Sequence, residues 1–149
     1  MKPPPKPEPA GCCAAKIPVS GSKTIDNVGN DCIQKFGPSS SWWTGNVDKV
    51  QGNDGTVTYT YTSTQSSAEN WARWRLTFDK PGKYKVEAFV PNNYATAKPT
   101  YVVRHNGANS SYVVDQKPLS NAWADLGTHD FAANCDEYVS VGDNTGQAY

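Results

Sequence analysis

The 149-residue chain lacks any excess of charge, with 14 basic and 14 acidic side chains. Proteins that hold phosphate backbones need a basic surplus, so nucleic acid is not an expected partner. Nor is there an uninterrupted apolar run of about 18 residues, the length a membrane-crossing helix requires, and no membrane association is expected. Methionine occurs once and histidine only twice. No stretch shows the three-and-four apolar spacing of a helix, and Thr, Ser and Asn are plentiful. Catalytic signatures are missing too. There is no nucleophile elbow, no metal-binding histidine pair and no phosphate-cradling loop, so no catalytic residue, metal ligand or cofactor is predicted.

What the chain does have is aromatic residues, 11% of the total against 19% charged, and apolar side chains at every second position. In 56-TVTYTYT-62 the apolar side is Val57, Tyr59 and Tyr61 with threonine opposite, the pattern of a half-buried strand. In 72-ARWRLTF-78, Ala72, Trp74, Leu76 and Phe78 share one face while Arg73, Arg75 and Thr77 share the other, and 79-DKPG-82 supplies a turn. The strand 83-KYKVEAFV-90 turns Tyr84, Val86, Ala88 and Val90 inward and ends at Pro91. In 101-YVVRHNGANSSYVVDQ-116 two valine and tyrosine runs flank Asn106-Gly107, a hairpin turn signal. The segments 123-WADLGTHDF-131 and 138-YVSV-141 complete the set. Repeated short strands with polar turns predict an all-β, antiparallel two-sheet sandwich of jelly-roll type, large enough to bury one core.

Proline at positions 3, 4, 5, 7 and 9 favours an extended segment that packs no core. Residues 1–22 therefore read as a Pro-rich linker, and 23–149 as the sandwich module, a piece of something larger. Of the four cysteines, Cys32 and Cys135 lie near the two ends of the folded region, where the first and last strands of a sandwich adjoin. A disulfide between them is expected, closing a loop of roughly 100 residues and contributing about 4–5 kcal/mol; two buried thiols are the alternative. Cys12 and Cys13 lack the partners of a zinc site and read as linker thiols able to join chains. An oxidising, secreted or cell-surface setting is implied.

The order 82-GKYKVEAFVP-91, 101-YVVRHNG-107, 113-VVDQ-116, 123-WADLG-127 and Phe131 resembles the golvesin C-terminal-like domain, also called the xanthan lyase-like binding domain. The resemblance spans about residues 24–146, including an early strand 24-TIDN-27 and the 42-WW-43 pair. It implies a carbohydrate-binding-like β-sandwich without catalysis of its own, appended to secreted bacterial hydrolases, lyases and peptidoglycan-acting enzymes. Such domains close with a further apolar strand after the Thr-Gly found here at Thr145-Gly146. With Tyr149 the last residue, the expectation is an open edge that a second copy or a partner strand fills.

A sugar ring offers patches of C–H groups beside its hydroxyls, and exposed aromatic rings bind those patches. Trp42 and Trp43 adjoin and point in opposite directions, Trp71 has the outward parity of its strand, and Tyr94 lies in the polar loop 92-NNYATAKP-99. These four are the candidate ligand contacts, with polysaccharide or peptidoglycan the expected partner beside an attached enzyme domain. Trp74 and Trp123 read as core. His105, at the end of its strand, reads as a hydrogen-bonded structural residue, and Asp115 and Gln116 as turn or core groups. The loop 26-DNVGND-31 lacks the ordered ligand spacing of a calcium site.

Overall fold

A computed structural model describes residues 10–50 and 54–148. Eleven strands are present among them: β1 Lys16–Ile17, β2 Ile33–Phe36, β3 Trp43–Asn46, β4 Thr56–Tyr59, β5 Trp71–Arg75, β6 Thr77–Phe78, β7 Gly82–Val90, β8 Thr100–His105, β9 Ala108–Val113, β10 Ala122–Phe131 and β11 Tyr138–Gly142. One 3-10 turn, Ser39–Ser41, is the only helical piece among the described residues. Residues 24–27, expected as a strand, are irregular. Asp26 there accepts backbone N–H groups from Asn27 and Asp54, so local side-chain bonds replace a ladder.

One layer of the sandwich is a five-stranded sheet in the order β2-β5-β11-β8-β9, antiparallel throughout. Facing it is the antiparallel pair β7–β10. A third antiparallel pair, β3–β4, forms beside these, and β1 pairs parallel with β6. Leu76, Val90, Tyr101, Val103, Leu126, Phe131 and Val139 meet between the layers, with Val90, Val103 and Leu126 fully buried. Leu76 comes from the link between β5 and β6, and the others from the inward faces of β7, β8, β10 and β11. The β8–β9 turn is Asn106-Gly107 with φ of 46° and 78°, the doubly left-handed geometry that matches strand twist and that this dipeptide tolerates.

Strand β10 carries a bulge. Between the pairs Asp125↔Glu87 and Thr128↔Lys85 it has two residues, Leu126 and Gly127, where β7 has only Val86. Gly127 adopts φ of 79°, and its N–H donates to the Asp125 carboxylate at 2.8 Å. The extra residue resets the alternation, so that Ala124 and Leu126 face inward before it and Phe131 after it. Trp123 is therefore on the outer face, 36% exposed and packed on Phe89, and not in the core as expected.

The cysteines pair differently from the expected Cys32–Cys135 bridge. Cys12 is bonded to Cys135 and Cys13 to Cys32, and no cysteine is free. The physical reason lies in the chain ahead of residue 22. Ala10 and Cys13 are buried, the Cys13 N–H donates to the Thr77 hydroxyl at 2.9 Å, and Lys16–Ile17 forms β1 against β6. The Arg75 guanidinium donates to the carbonyls of Ala10, Cys12 and Asp31, gathering this segment over the outer face of β5. Residues 10–17 thus belong to the sandwich and not to a linker. The prolines at 3, 4, 5, 7 and 9 lie outside the described residues.

Candidate ligand-binding site

The β3–β4 pair places Trp43 directly opposite Tyr59, and Gly45 opposite Val57. Their shared face is an aromatic wall. Tyr59 stacks on Tyr94 at 4.7 Å between centroids, while Trp43 lies 6.1 Å from Tyr59 and meets Tyr61 edge to face at 4.9 Å. Glycine at position 45 is what lets Tyr94 in, because a Cβ there would fall inside the Tyr94 ring. Tyr94 itself has φ of 69°, a left-handed conformation that a bulky residue holds only when its surroundings fix it. The fixing contacts include Asn93, whose carboxamide oxygen accepts the Tyr94 N–H, and Asn92, which accepts the Asp48 N–H. Asp48 in turn accepts from the Asn121 amide, tying the loop to the start of β10. Despite this mutual packing the rings remain open to solvent: Trp43 is 40% exposed, Tyr61 50% and Tyr94 41%.

Next to the wall runs a cleft of about 370 Å³, edged by Trp43 and Tyr61 and lined by hydroxyls of the 60–64 segment, Glu69, Asn70 and Asp143. The volume lies in the range of small-ligand sites. Asp143 is buried, and its two carboxylate oxygens accept the N–H groups of Glu69 and Asn70 at 3.0 and 3.1 Å. Asn70, also buried, donates to the Pro38 carbonyl. Backbone bonds from Ser63 to Asp143 and from Gly146 to Ser63 hold the far side.

The four expected contacts separate. Trp43 and Tyr94 come together in the aromatic wall. Trp42 is half-buried and donates its indole N–H to the Phe36 carbonyl at 3.2 Å. Trp71 is outward on the five-stranded sheet, but Phe36 covers one of its faces at 3.9 Å and the Arg73 guanidinium lies 5.7 Å from its centroid. Tyr59 and Tyr61, read from the sequence as an inward face, complete the wall. Their alternation with threonine was visible; the exposure of that face was not, since it depends on how far β3–β4 projects beside the two main layers.

The histidines also meet, which their sequence positions do not announce. His105 and His129 stack at 4.3 Å between centroids. His105 Nε2 bonds the Ser110 hydroxyl at 2.8 Å; His129 Nε2 contacts the Tyr112 hydroxyl and the Leu126 carbonyl. Burial, then the neighbouring His129, lower the His105 pKa from its ordinary value, against the pull of Glu137 and Asp130. The Ser110–His105 pair superficially resembles a nucleophile and its base. The nearby Glu137 carboxylate, however, is fully buried and accepts three backbone N–H groups, from Asn106, Ala132 and Ala133. It is spent on holding loops and bonds neither imidazole. Gln116 donates to the hydroxyl of buried Tyr101, whose pKa burial raises, and Asp115 accepts the Lys117 N–H, so both serve core and turn. Among the described residues one trio of metal-ligand types converges, Cys13, Asp31 and Cys32, and its sulfurs are joined to each other, so no thiolate is available to a metal. Among the described residues, no helix is long and apolar enough to cross a membrane.

The profile of the Golvesin C-terminal domain matches residues 24–149. The chain belongs to the golvesin C-terminal domain family. Among solved structures, Paenibacillus xanthan lyase contains a similar fold, with a TM-score of 0.65 at 16% identity. That likeness covers 80% of this chain and 11% of the lyase, so the golvesin-type fold there is a small part of a far longer protein. No curated protein matches the chain. The motifs that define this golvesin C-terminal domain are mostly scaffold. Gly127 of Trp-x-x-Leu-Gly makes the bulge, Asn106-Gly107 the hairpin turn, and Gln116 of Asp-Gln a core bond.

Proposed function

We propose that this golvesin C-terminal domain is a noncatalytic carbohydrate- or cell-wall-binding module, serving an enzyme in the same secreted or cell-surface protein. The observation that carries the reading is the wall of Trp43, Tyr59, Tyr61 and Tyr94, four rings held in contact with three of them open to solvent beside a hydroxyl-lined cleft. Rigid rings with open surface suit the C–H patches of a sugar, and hydroxyl, amide and carboxylate groups suit its hydroxyls. Two disulfides fit an oxidising compartment. The absence of catalysis rests on the engagement of Glu137, Asp143, His105 and His129 in bonds that hold the fold.

Retention on polysaccharides and peptidoglycan, by pull-down and affinity electrophoresis, tests the reading. Trp43→Ala and Tyr94→Ala are each expected to weaken retention about tenfold, or ~1.4 kcal/mol, while the melting temperature changes little. Trp71→Ala, whose ring is stacked on Phe36, is expected to keep retention. Full retention by both wall variants, or hydrolysis of the polymer by the parent chain, would show that the assignment is wrong.

A further inference from the structure

Resting on the reading of the cleft as a glycan site, we infer that the glycan segment it holds carries no uronate or sulfate groups and that Glu69 enforces this selection. Among the described residues, the cleft beside Trp43 and Tyr61 is lined by two carboxylates, Glu69 and Asp143, and by no lysine, arginine or histidine. Asp143 is buried and held in place, its oxygens accepting the backbone N–H groups of Glu69 and Asn70. Those bonds position residue 69 at the rim, where its own exposed carboxylate has no hydrogen-bond or ion-pair partner among the described residues. A site that presents two negative charges and no compensating cation repels uronate or sulfate groups at short range. It accepts hydroxyl donors readily, because ionised carboxylates are acceptors only and form the stronger, charge-assisted bonds. The arrangement discriminates by unfavourable contact with the wrong ligand as much as by attraction to the right one. Among the described residues, the three arginines at outward positions of the five-stranded sheet are each engaged: Arg75 is bonded to backbone carbonyls, Arg104 to Gly107 and Asn109 with the Asp136 carboxylate at 3.9 Å, and Arg73 is buried against Phe36, Trp71 and Tyr138.

The test is affinity electrophoresis at low salt against a set of neutral glucans, mannans and xylans and against polygalacturonate and hyaluronan. The parent domain should be retarded by at least one neutral polymer and by neither polyanion. Glu69→Gln should raise the ratio of polyanion to neutral retention by about 3–10-fold, an effect that fades as salt rises. Glu87→Gln, which makes the same change in net charge on the exposed outer side of β7, should leave the ratio where it was. Strong polyanion retention by the parent that Trp43→Ala removes would overturn the charge selection while upholding the glycan site. An equal response to Glu69→Gln and Glu87→Gln would assign any effect to overall charge and overturn the role of Glu69. Absence of retention on every polymer would defeat the glycan reading itself, and this inference with it.

Discussion

His105 is held beneath the β8–β9 turn by its bond to Ser110 and its stack on His129. Its folded pKa is lowered, chiefly by burial, so the unfolded chain takes up the proton first as the pH falls. The contribution of neutral His105 to stability is therefore complete above the unfolded value near 6.5 and declines as the pH drops below it toward the folded value. Melting temperatures are expected to fall between pH 7.5 and pH 5.5. His105→Gln should flatten that fall, and an unchanged slope in the variant would remove His105 as the cause. Single residues were also where the sequence was hardest to read. Alternation showed that Val57, Tyr59 and Tyr61 share a face, yet alternation never says which face is covered. Tyr94 could be picked out as a loop aromatic, but its seat over Gly45 depends on two segments far apart in sequence.

At the scale of elements, β7, β8, β9, β10 and β11 were legible from period-two patterning, and the Asn106-Gly107 turn from its chemistry. The misplacement of Trp123 shows where such reading stops. A bulge adds one residue and inverts parity, and the sequence marks it only by a glycine. Gly127 has the positive φ that side chains rarely adopt, and a Cβ there would come 2.9 Å from His129 Nε2 and closer still to the Tyr112 hydroxyl. Gly127→Ala is accordingly expected to destabilise by about 1–3 kcal/mol through strain and displacement of those side chains. Urea unfolding measures it. A variant as stable as the parent would mean that β10 can pass this point without the bulge.

For the molecule as a whole, the sandwich was legible because its strands are amphipathic, whereas the clasp on its outer surface was not. Four cysteines allow three pairings, and sequence alone cannot choose among them. The choice is made by the course of residues 10–17 along the sandwich, anchored by buried Ala10 and Cys13, which the neighbouring prolines disguise as linker. In the chain-entropy account the Cys13–Cys32 link, 19 residues apart, contributes ~3 kcal/mol, and the Cys12–Cys135 link, 123 apart, ~5 kcal/mol. Paired serine replacements of each bridge should lower stability in that order, as upper values, because each loop shares chain with the other. If Cys32 and Cys135 were instead found joined in oxidised protein by peptide mapping, the pairing described above would be wrong.

A glycan held as proposed lies against Trp43. The chain has five tryptophans, each with one indole N–H resonance, at positions 42, 43, 71, 74 and 123. Titrating ¹⁵N-labelled domain with soluble fragments of a polymer that retains it follows all five at once. The Trp43 resonance is expected to shift in a saturable way while those of Trp42, Trp71, Trp74 and Trp123 stay in place. A saturable shift at Trp71 or Trp123, with Trp43 unmoved, would contradict the proposal.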